Sequence, residues 1–458
     1  MTSIEQFGYR QELQRSLSFA DLMIYGLIFM VPIAPFGIFG TVFAGSGGMV
    51  ALAYIIGLVA MAFSGLSYAQ MARAFPMAGS VYTYAGRGIA APVGFLAGWM
   101  ILLDYVLVPS LLYLVAGTAM HSFIGAVPVW AWIAAFVVLN TVVNYLGIEM
   151  TARVNRVMLV AELVVLAIFL VIGAIALAQG KATAGGLSPL YDSSTFSWGL
   201  VLTAASVAVL SFLGFDGIST LAEENREDAR RLGRSMVAAL SLAAVLFVVQ
   251  TWVAALLVPN RADLLAPKPK SGVLDNAFYD LSSYAGGPWL AILTAVATAI
   301  AWGFANSLVA QAATSRLLFA MARDRQLPSF LARVHPTRKV PINATFAVAV
   351  LSLAIGVGMS LYDQGIPFLS SMVNFGAMTA FLLLHVSVVV HYVVRQRSRD
   401  WVNHLLVPLI GFAVLILVVI NAQVNAQTLG FVWMGLGIVA IAVLYAMGRR
   451  PALPSEVS

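Results

Sequence analysis

Three carboxylates stand inside apolar runs: Asp104 in GWMILLDYV, Glu162 in VNRVMLVAELVVL and Asp216 in SFLGFDGIST. Ionisable side chains in such runs are costly, and their presence points to function. Tyr105 follows Asp104 and adds an aromatic face and a hydroxyl, a pairing suited to an ammonium group by charge and cation–π attraction. The alternative for Asp104 is a buried, hydrogen-bonded structural carboxylate. Asp216 either caps a half-helix by accepting exposed backbone N–H groups or meets a cation. Glu162, the single charge in the body of its run, either takes and releases a proton or stays protonated and bonds a neighbour. Glu223 and Glu224 lie beside Arg226, Arg230, Arg231 and Arg234, as expected of a solvated salt-bridged loop, with a gate as the second reading.

Other chemistries find no residues. The chain has no cysteine and five histidines, which removes disulfides, thiol nucleophiles and thiolate metal sites. The histidines show no HExxH spacing; His385 and His391 are six apart, out of line for a metal pair on one helix face. No Ser/Lys pair, paired Asp or histidine site inside the apolar runs suggests an enzyme. No cofactor, metal or nucleic-acid partner is expected.

The elements that must position the carboxylates follow from composition. The 458 residues are 61% hydrophobic and 10% charged, with a mean hydropathy of +0.93, whereas soluble domains run near a quarter charged. A spanning helix needs about 20 apolar residues, and the long continuous runs, without ten-residue alternation, argue against a lipid-facing β-barrel. The runs predict about twelve spans, near 17–44, 48–71, 93–120, 128–147, 157–179, 198–222, 235–258, 287–315, 342–361, 367–394, 402–421 and 428–447. Asp104 then lies about eleven residues, or about 16 Å, into the third span. Of the 25 Lys and Arg residues, all but Lys181, Arg261, Lys268 and Lys270 fall on the side of the N-terminus. That asymmetry predicts an even number of spans with both termini cytoplasmic in the cell membrane. The N-terminal stretch, with Glu5 and Glu12 ahead of a full-length span, is expected to be a short cytoplasmic tail rather than a signal peptide.

Two spans are interrupted. The first contains Pro32, Pro35, Gly37 and Gly40 in VPIAPFGIFG, and the sixth contains Gly214 and Gly217. Broken backbone at membrane depth survives where it is buried in protein or lines a cavity. Two breaks five spans apart are the expected sign of an inverted repeat whose broken helices meet near the midplane and form a binding site; two flexible, closely packed helices are the alternative. Phe36, Phe39, Phe212, Phe215 and Tyr105 crowd this region, with Trp302 within reach from the eighth span. Most of them are expected to be packing, with Phe36 and Phe212, which flank the breaks, best placed to wall off a ligand.

The stretches PMAGSVYTYAGRG and GFLAGWMILLDYVLVP, then SFLGFDGISTLAEEN, then SRLLFAMARDRQLPSFLARVHPTRKVP resemble the amino acid–polyamine–organocation superfamily of permeases, from about Leu17 to the last span. The LLDY and FLGFD forms, with NFGAMTAF at 374–381, resemble its putrescine-importer branch. The resemblance implies an all-α membrane protein with an inverted, leucine-transporter-like five-helix repeat over 17–180 and 197–395. Helices 1 and 6 would be broken, two additional helices would occupy 402–447, and cytoplasmic tails would cover 1–16 and 448–458. It also implies secondary transport by alternating access, with a small amine or amino acid, a proton and the lipid bilayer as partners.

Carried over by position, the Gly-Ser-Gly break of many relatives corresponds to Pro35, Phe36 and Gly37. There, backbone N–H groups hold a substrate carboxylate, and Pro35 removes one donor, so an amine without a carboxylate becomes the leading substrate. The putrescine-importer branch has an acidic residue where Gly37 stands, which leaves amine selectivity to Asp104, Tyr105, Asp216 or Glu162. Glu162 occupies a position where proton-coupled relatives carry a lysine in place of a sodium ion. The expected substrate-binding residues are Pro35, Phe36, Gly37, Ile38, Asp104, Tyr105, Phe212, Gly214, Phe215 and Asp216, with Glu162 coupling the proton. The alternative is an amino-acid permease or exchanger that binds a carboxylate through Gly37, Ile38 and Phe39.

Overall fold

The computed structural model describes residues 4–266, 272–362, 365–420, 424–446 and Leu453. Expectations for Lys268, Lys270, Arg449, Arg450 and, Leu453 aside, the tail 448–458 fall outside the described residues. Every regular element among the described residues is helical. A bent first span is made of α1 (Phe19–Met30) and α2 (Pro35–Gly45), with 52° between the two. α3 (Val50–Ala74), a short buried α4 (Ser80–Gly88), α5 (Ala91–Phe123), α6 (Val129–Leu146) and α7 (Ile148–Ala178) follow. The sixth span is α8 (Trp198–Ala208) continued by 3-10 segments Val209–Phe212 and Phe215–Glu224.

α9 (Ala229–Leu256) crosses back, and the long connection after it holds α10 (Arg261–Leu264) and α11 (Val273–Gly286). The eighth span is α12 (Pro288–Ile300), a π-helical turn Ala301–Asn306 and α13 (Ser307–Arg323). α14 (Ile342–Ser360), α15 (Gly365–Val388, prolonged by a π turn to Arg395), α16 (Val407–Ile420, preceded by a π turn from Val402) and α17 (Val424–Ala446) complete the chain. Among the described residues, eleven helices have the length and hydropathy to cross a membrane, and α1 with α2 makes up to twelve.

Helix starts are set by local chemistry. Ser18 and Asp21 form a reciprocal capping box on α1, and Asp228 accepts the Arg231 N–H at 2.7 Å to open α9; such caps contribute about 1 kcal/mol each. Two spans run longer than the sequence predicts. α7 begins at Ile148 instead of near 157, carrying Glu149, Arg153 and Arg156 on its extension, and Arg156 pairs with Asp21 of α1. The eighth span continues to Arg323 instead of ending near 315, because its two arginines are neutralised by Glu224 and Glu223.

Inside the apolar bundle a ladder of amides and hydroxyls joins α6 to α13. Asn140 donates to Ser307 Oγ at 2.8 Å and to the Tyr113 hydroxyl at 3.1 Å; Asn144 donates to Gln311 Oε1 at 2.7 Å, and Gln311 donates to Thr141 Oγ1 at 2.8 Å. Hydrogen bonds between membrane helices contribute roughly 0.6 kcal/mol each, so the ladder fixes the register of the span holding the π turn. At the periphery, Trp99 of α5 and Trp433 of α17 stack at 4.4 Å, and each donates its indole N–H to the other's carbonyl at 2.9 Å.

Candidate functional site

The two broken spans cross at Phe29. Val31 takes φ +57°, Pro32 cannot continue the hydrogen-bond ladder, and α2 restarts with Pro35 in its first turn, a position that suits proline. Gln250 of α9 holds the break by donating to the Pro32 carbonyl at 2.9 Å. In the sixth span Gly214 takes φ +120°. A Cβ on Gly214 would stand 2.8 Å from Phe29 Cγ, and one on Gly217 would stand 2.5 Å from Phe29 Cδ1. Both glycines are therefore required by one aromatic ring of α1.

This placement corrects the expected break. Pro35, Phe36, Gly37 and Ile38 lie in the first turn of α2, and the unwound residues are one turn earlier, at 31–34. The Phe36 N–H donates to Ile33 O at 2.9 Å and the Gly37 N–H to Ala34 O at 3.2 Å, so neither is free for a ligand carboxylate.

Beside the crossing lies a cluster of carboxyl and phenol groups. Asp216 accepts the Gly214 N–H on Oδ1 at 3.2 Å and the Tyr105 hydroxyl on Oδ2 at 2.7 Å. Asp104, buried on α5, is near enough to Asp216 for their charges to interact. Thr314 of α13 donates to the Tyr105 carbonyl, and Gly376, within NFGAMTAF, lets α15 approach α5 so closely that a Cβ there would stand 3.2 Å from the Asp104 nitrogen. No Lys, Arg or His side chain among the described residues forms an ion pair with either aspartate. Phe29 packs edge-on against Tyr105, their centroids 6.5 Å apart.

The remaining expected site residues part company. Phe215 packs among Tyr68 and Phe381. Phe212 points into packing between Tyr54 of α3 and Phe247 of α9. Phe36 stacks on Phe278 of α11 at 4.0 Å and meets Phe169 of α7 edge-on at 5.6 Å, forming an aromatic cover on the side away from the N-terminus. Trp302 lies over Gly37, 2.8 Å from where a Cβ would stand. Glu162 of α7 is buried with no hydrogen-bond partner among the described residues on either carboxyl oxygen, and Asn155, two turns before it, is orphaned in the same way.

The opposite side is closed by ion pairs, which overturns the expectation of a solvated loop at Glu223 and Glu224. Glu224 takes two hydrogen bonds from the Arg316 guanidinium, at 2.5 and 2.7 Å, and Glu223 takes two from Arg323, at 2.7 and 3.0 Å. These partners lie on α13, about a hundred residues on in the chain; of the four neighbouring arginines, only Arg231 forms an ion pair among the described residues, with Glu227. The N-terminal segment completes the closure. Leu17 N–H donates to the Glu224 carbonyl at 3.0 Å, Arg87 donates to the Phe7 carbonyl at 3.1 Å, and Arg323 lies 4.1 Å from the centre of the Tyr9 ring. Tyr9 and Tyr82 both donate to Asp324, at 2.9 and 2.6 Å. Burial pushes the Asp324 carboxyl above the usual carboxylate range, against the lowering effect of Tyr82 and Arg323, and burial likewise raises the Tyr9 hydroxyl. With both sides covered, the carboxyl cluster is occluded.

Comparison with known proteins decides the class. A family model described as amino acid permease matches residues 19–446. The chain belongs to the amino acid permease family of the amino acid–polyamine–organocation superfamily. It is a membrane permease and not an enzyme. Among this permease's relatives, the low-affinity putrescine importer PlaP of Escherichia coli is 28% identical over 450 residues, covering 96% of each chain. The branched-chain amino acid permease BcaP of Bacillus subtilis is 26% identical over 410 residues, covering 85% of this chain and 83% of its own. The methylthioribose transporter of the same organism is 27% identical over 403 residues, with 83% and 82% covered.

Sequence reasoning misses four residues of this site: Phe29, Gln250, Arg316 and Arg323. Gln250 carries a visible signal, an amide in an apolar span. Phe29 carries none, because its role exists only where two distant glycines meet it.

Proposed function

We propose that this permease imports putrescine or a similar short amine, coupled to a proton, by alternating access across the cell membrane with both termini cytoplasmic. The observation that carries the reading is the Asp104–Asp216 pair. Two buried carboxyl groups without a cationic partner leave a site whose missing charge is positive, and a diamine supplies two ammonium groups for two carboxyls. Phe29 and Tyr105 add aromatic faces that favour a cation. The engaged N–H groups of Phe36 and Gly37 remove donors that an α-carboxylate would use, which supports an amine over an amino acid.

Glu162 is assigned the coupling proton, as a buried carboxyl held by no partner among the described residues, in a span that packs against α1 and the π turn. The orientation rests on the basic side of the molecule, where Arg73, Arg87, Arg153 and Arg333 collect. The Phe36–Phe278 cover and the Glu223/Glu224 ion pairs are assigned as outer and inner gates, opening in turn. The amino-acid reading has the relation to the branched-chain permease in its favour.

Equilibrium binding of labelled putrescine to the purified permease tests the substrate. Displacement by spermidine or cadaverine and not by leucine is expected; displacement by leucine would move the assignment to amino acids.

A further inference from the structure

A pocket of about 480 Å³ opens on the face that carries the N-terminus, far from the carboxyl cluster in both sequence and chemistry. Its polar lining comes from Gln70 and Arg73 in the last turn of α3, His391 and Tyr392 at the end of the α15 span, Ser398, and His404 at the start of the next span. Arg73 is exposed and forms no ion pair or hydrogen bond among the described residues, and no carboxylate lines the pocket. Tyr392 and His404 form one flat wall, their rings stacked at 3.9 Å and 4°. Ser398 lies 2.8 Å from His404 Nδ1 and Gln396 2.9 Å from His391 Nε2, so each imidazole has one engaged nitrogen. Asp400, outside the lining, is near enough to His404 for their charges to interact, but the lining itself is a guanidinium, imidazoles, amides and a hydroxyl, a set of donors that makes a site for an anion.

Placement narrows the anion. Arg73, Tyr392 and His404 stand at span ends, where lipid phosphates lie. Exposed apolar side chains flank those span ends, Val394 at 64%, Trp401 at 57%, Val402 at 58% and Leu406 at 52%, interspersed with exposed Arg395, Arg397 and Arg399. Free phosphate has no use for that surface, whereas acyl chains do. We propose that this pocket seats the phosphate of an anionic phospholipid, with Arg73 as its charge partner and the exposed apolar side chains at the span ends holding the chains. Phe7 and Phe75 also line it, packed edge-on at 6.0 Å. Phe7 is the residue whose carbonyl Arg87 holds, so a seated headgroup braces the segment that closes the inner side.

The test is lipid retention by the full-length purified permease, read by native mass spectrometry and by thermal shift with phosphatidylglycerol, phosphatidylcholine or sodium phosphate. Phosphatidylglycerol should be retained and stabilising, phosphatidylcholine should not, and Arg73→Gln should weaken phosphatidylglycerol retention about fivefold, with Arg73→Lys recovering most of it. Arg73 makes no bond among the described residues, so the variants keep the fold and leave putrescine binding unchanged. Equal retention of the two lipids, or indifference to Arg73→Gln, overturns the proposal. Millimolar phosphate reproducing the stabilisation overturns the lipid assignment in favour of a free anion.

Discussion

Tyr105 donates its hydroxyl to Asp216 at 2.7 Å while its sequence neighbour Asp104 is near enough for its charge to act on the same carboxylate, so one turn of α5 supplies both a charge and the bond that orients the other charge. Tyr105→Phe removes that bond and leaves the ring. A hydrogen bond to a charged group contributes about 1.5–3 kcal/mol, which predicts at least a tenfold rise in KM for the amine with the folded yield unchanged. Uptake kinetics of wild type and variant check it, and an unchanged KM would separate Tyr105 from the site.

Gly214 combines φ +120° with a Phe29 backbone carbon 2.9 Å from where a Cβ would stand. Gly214→Ala therefore meets both backbone strain, about 1–3 kcal/mol, and a clash that no side-chain rotation relieves. Gly217→Ala meets only the Phe29 ring. The melting temperature should fall more for Gly214→Ala than for Gly217→Ala, and Phe29→Ala should recover much of the loss for Gly217→Ala alone.

The chain lacks cysteine, so a single introduced thiol reports access. Ser219 is fully buried on the same 3-10 segment as Glu223 and Glu224. Maleimide should label a Ser219→Cys reporter slowly, and about tenfold faster after Glu223→Gln, which weakens a buried pair assigned to the inner gate. Equal labelling rates would show that the Glu223–Arg323 pair does not gate access.

Asp324 gives a pH signature. Its carboxyl is raised in the folded chain, above an unfolded value of about 3.9, so the folded state holds the proton more tightly. Its contribution to stability is full below that unfolded value and is lost as pH rises through the raised folded value. Asp324→Asn keeps groups that can bond Tyr9 and Tyr82 but does not titrate. The wild-type melting temperature minus that of Asp324→Asn should fall as pH climbs from about 4; a flat or rising difference contradicts the assignment.

How much of this could be read in advance depends on whether the signal was local. The helical membrane class follows from long apolar runs, and the two interruptions from Pro and Gly at membrane depth. The one-turn error in the first break arises because Val31, a β-branched residue, takes the positive φ that glycine usually marks. Asp104, Tyr105 and Asp216 can be picked out as charges and a phenol in apolar sequence, and the structure brings them together. Phe36 and Phe212 can be picked out as flanking aromatics, but they face different neighbours, since ring direction is set by tertiary packing. The ion pairs of Glu223 and Glu224 are illegible for a related reason: four local arginines compete on paper with the two distant ones that α13 delivers.

The most direct test is uptake of labelled putrescine into proteoliposomes under an imposed inward proton gradient, with and without a protonophore, comparing wild type with Glu162→Gln. Concentrative, protonophore-sensitive uptake by the wild type is expected, blocked by excess amine and not by neutral amino acids. In Glu162→Gln, gradient-driven accumulation should be lost while putrescine exchange persists. Absence of putrescine uptake, or accumulation by Glu162→Gln with an unaltered pH dependence, would contradict it.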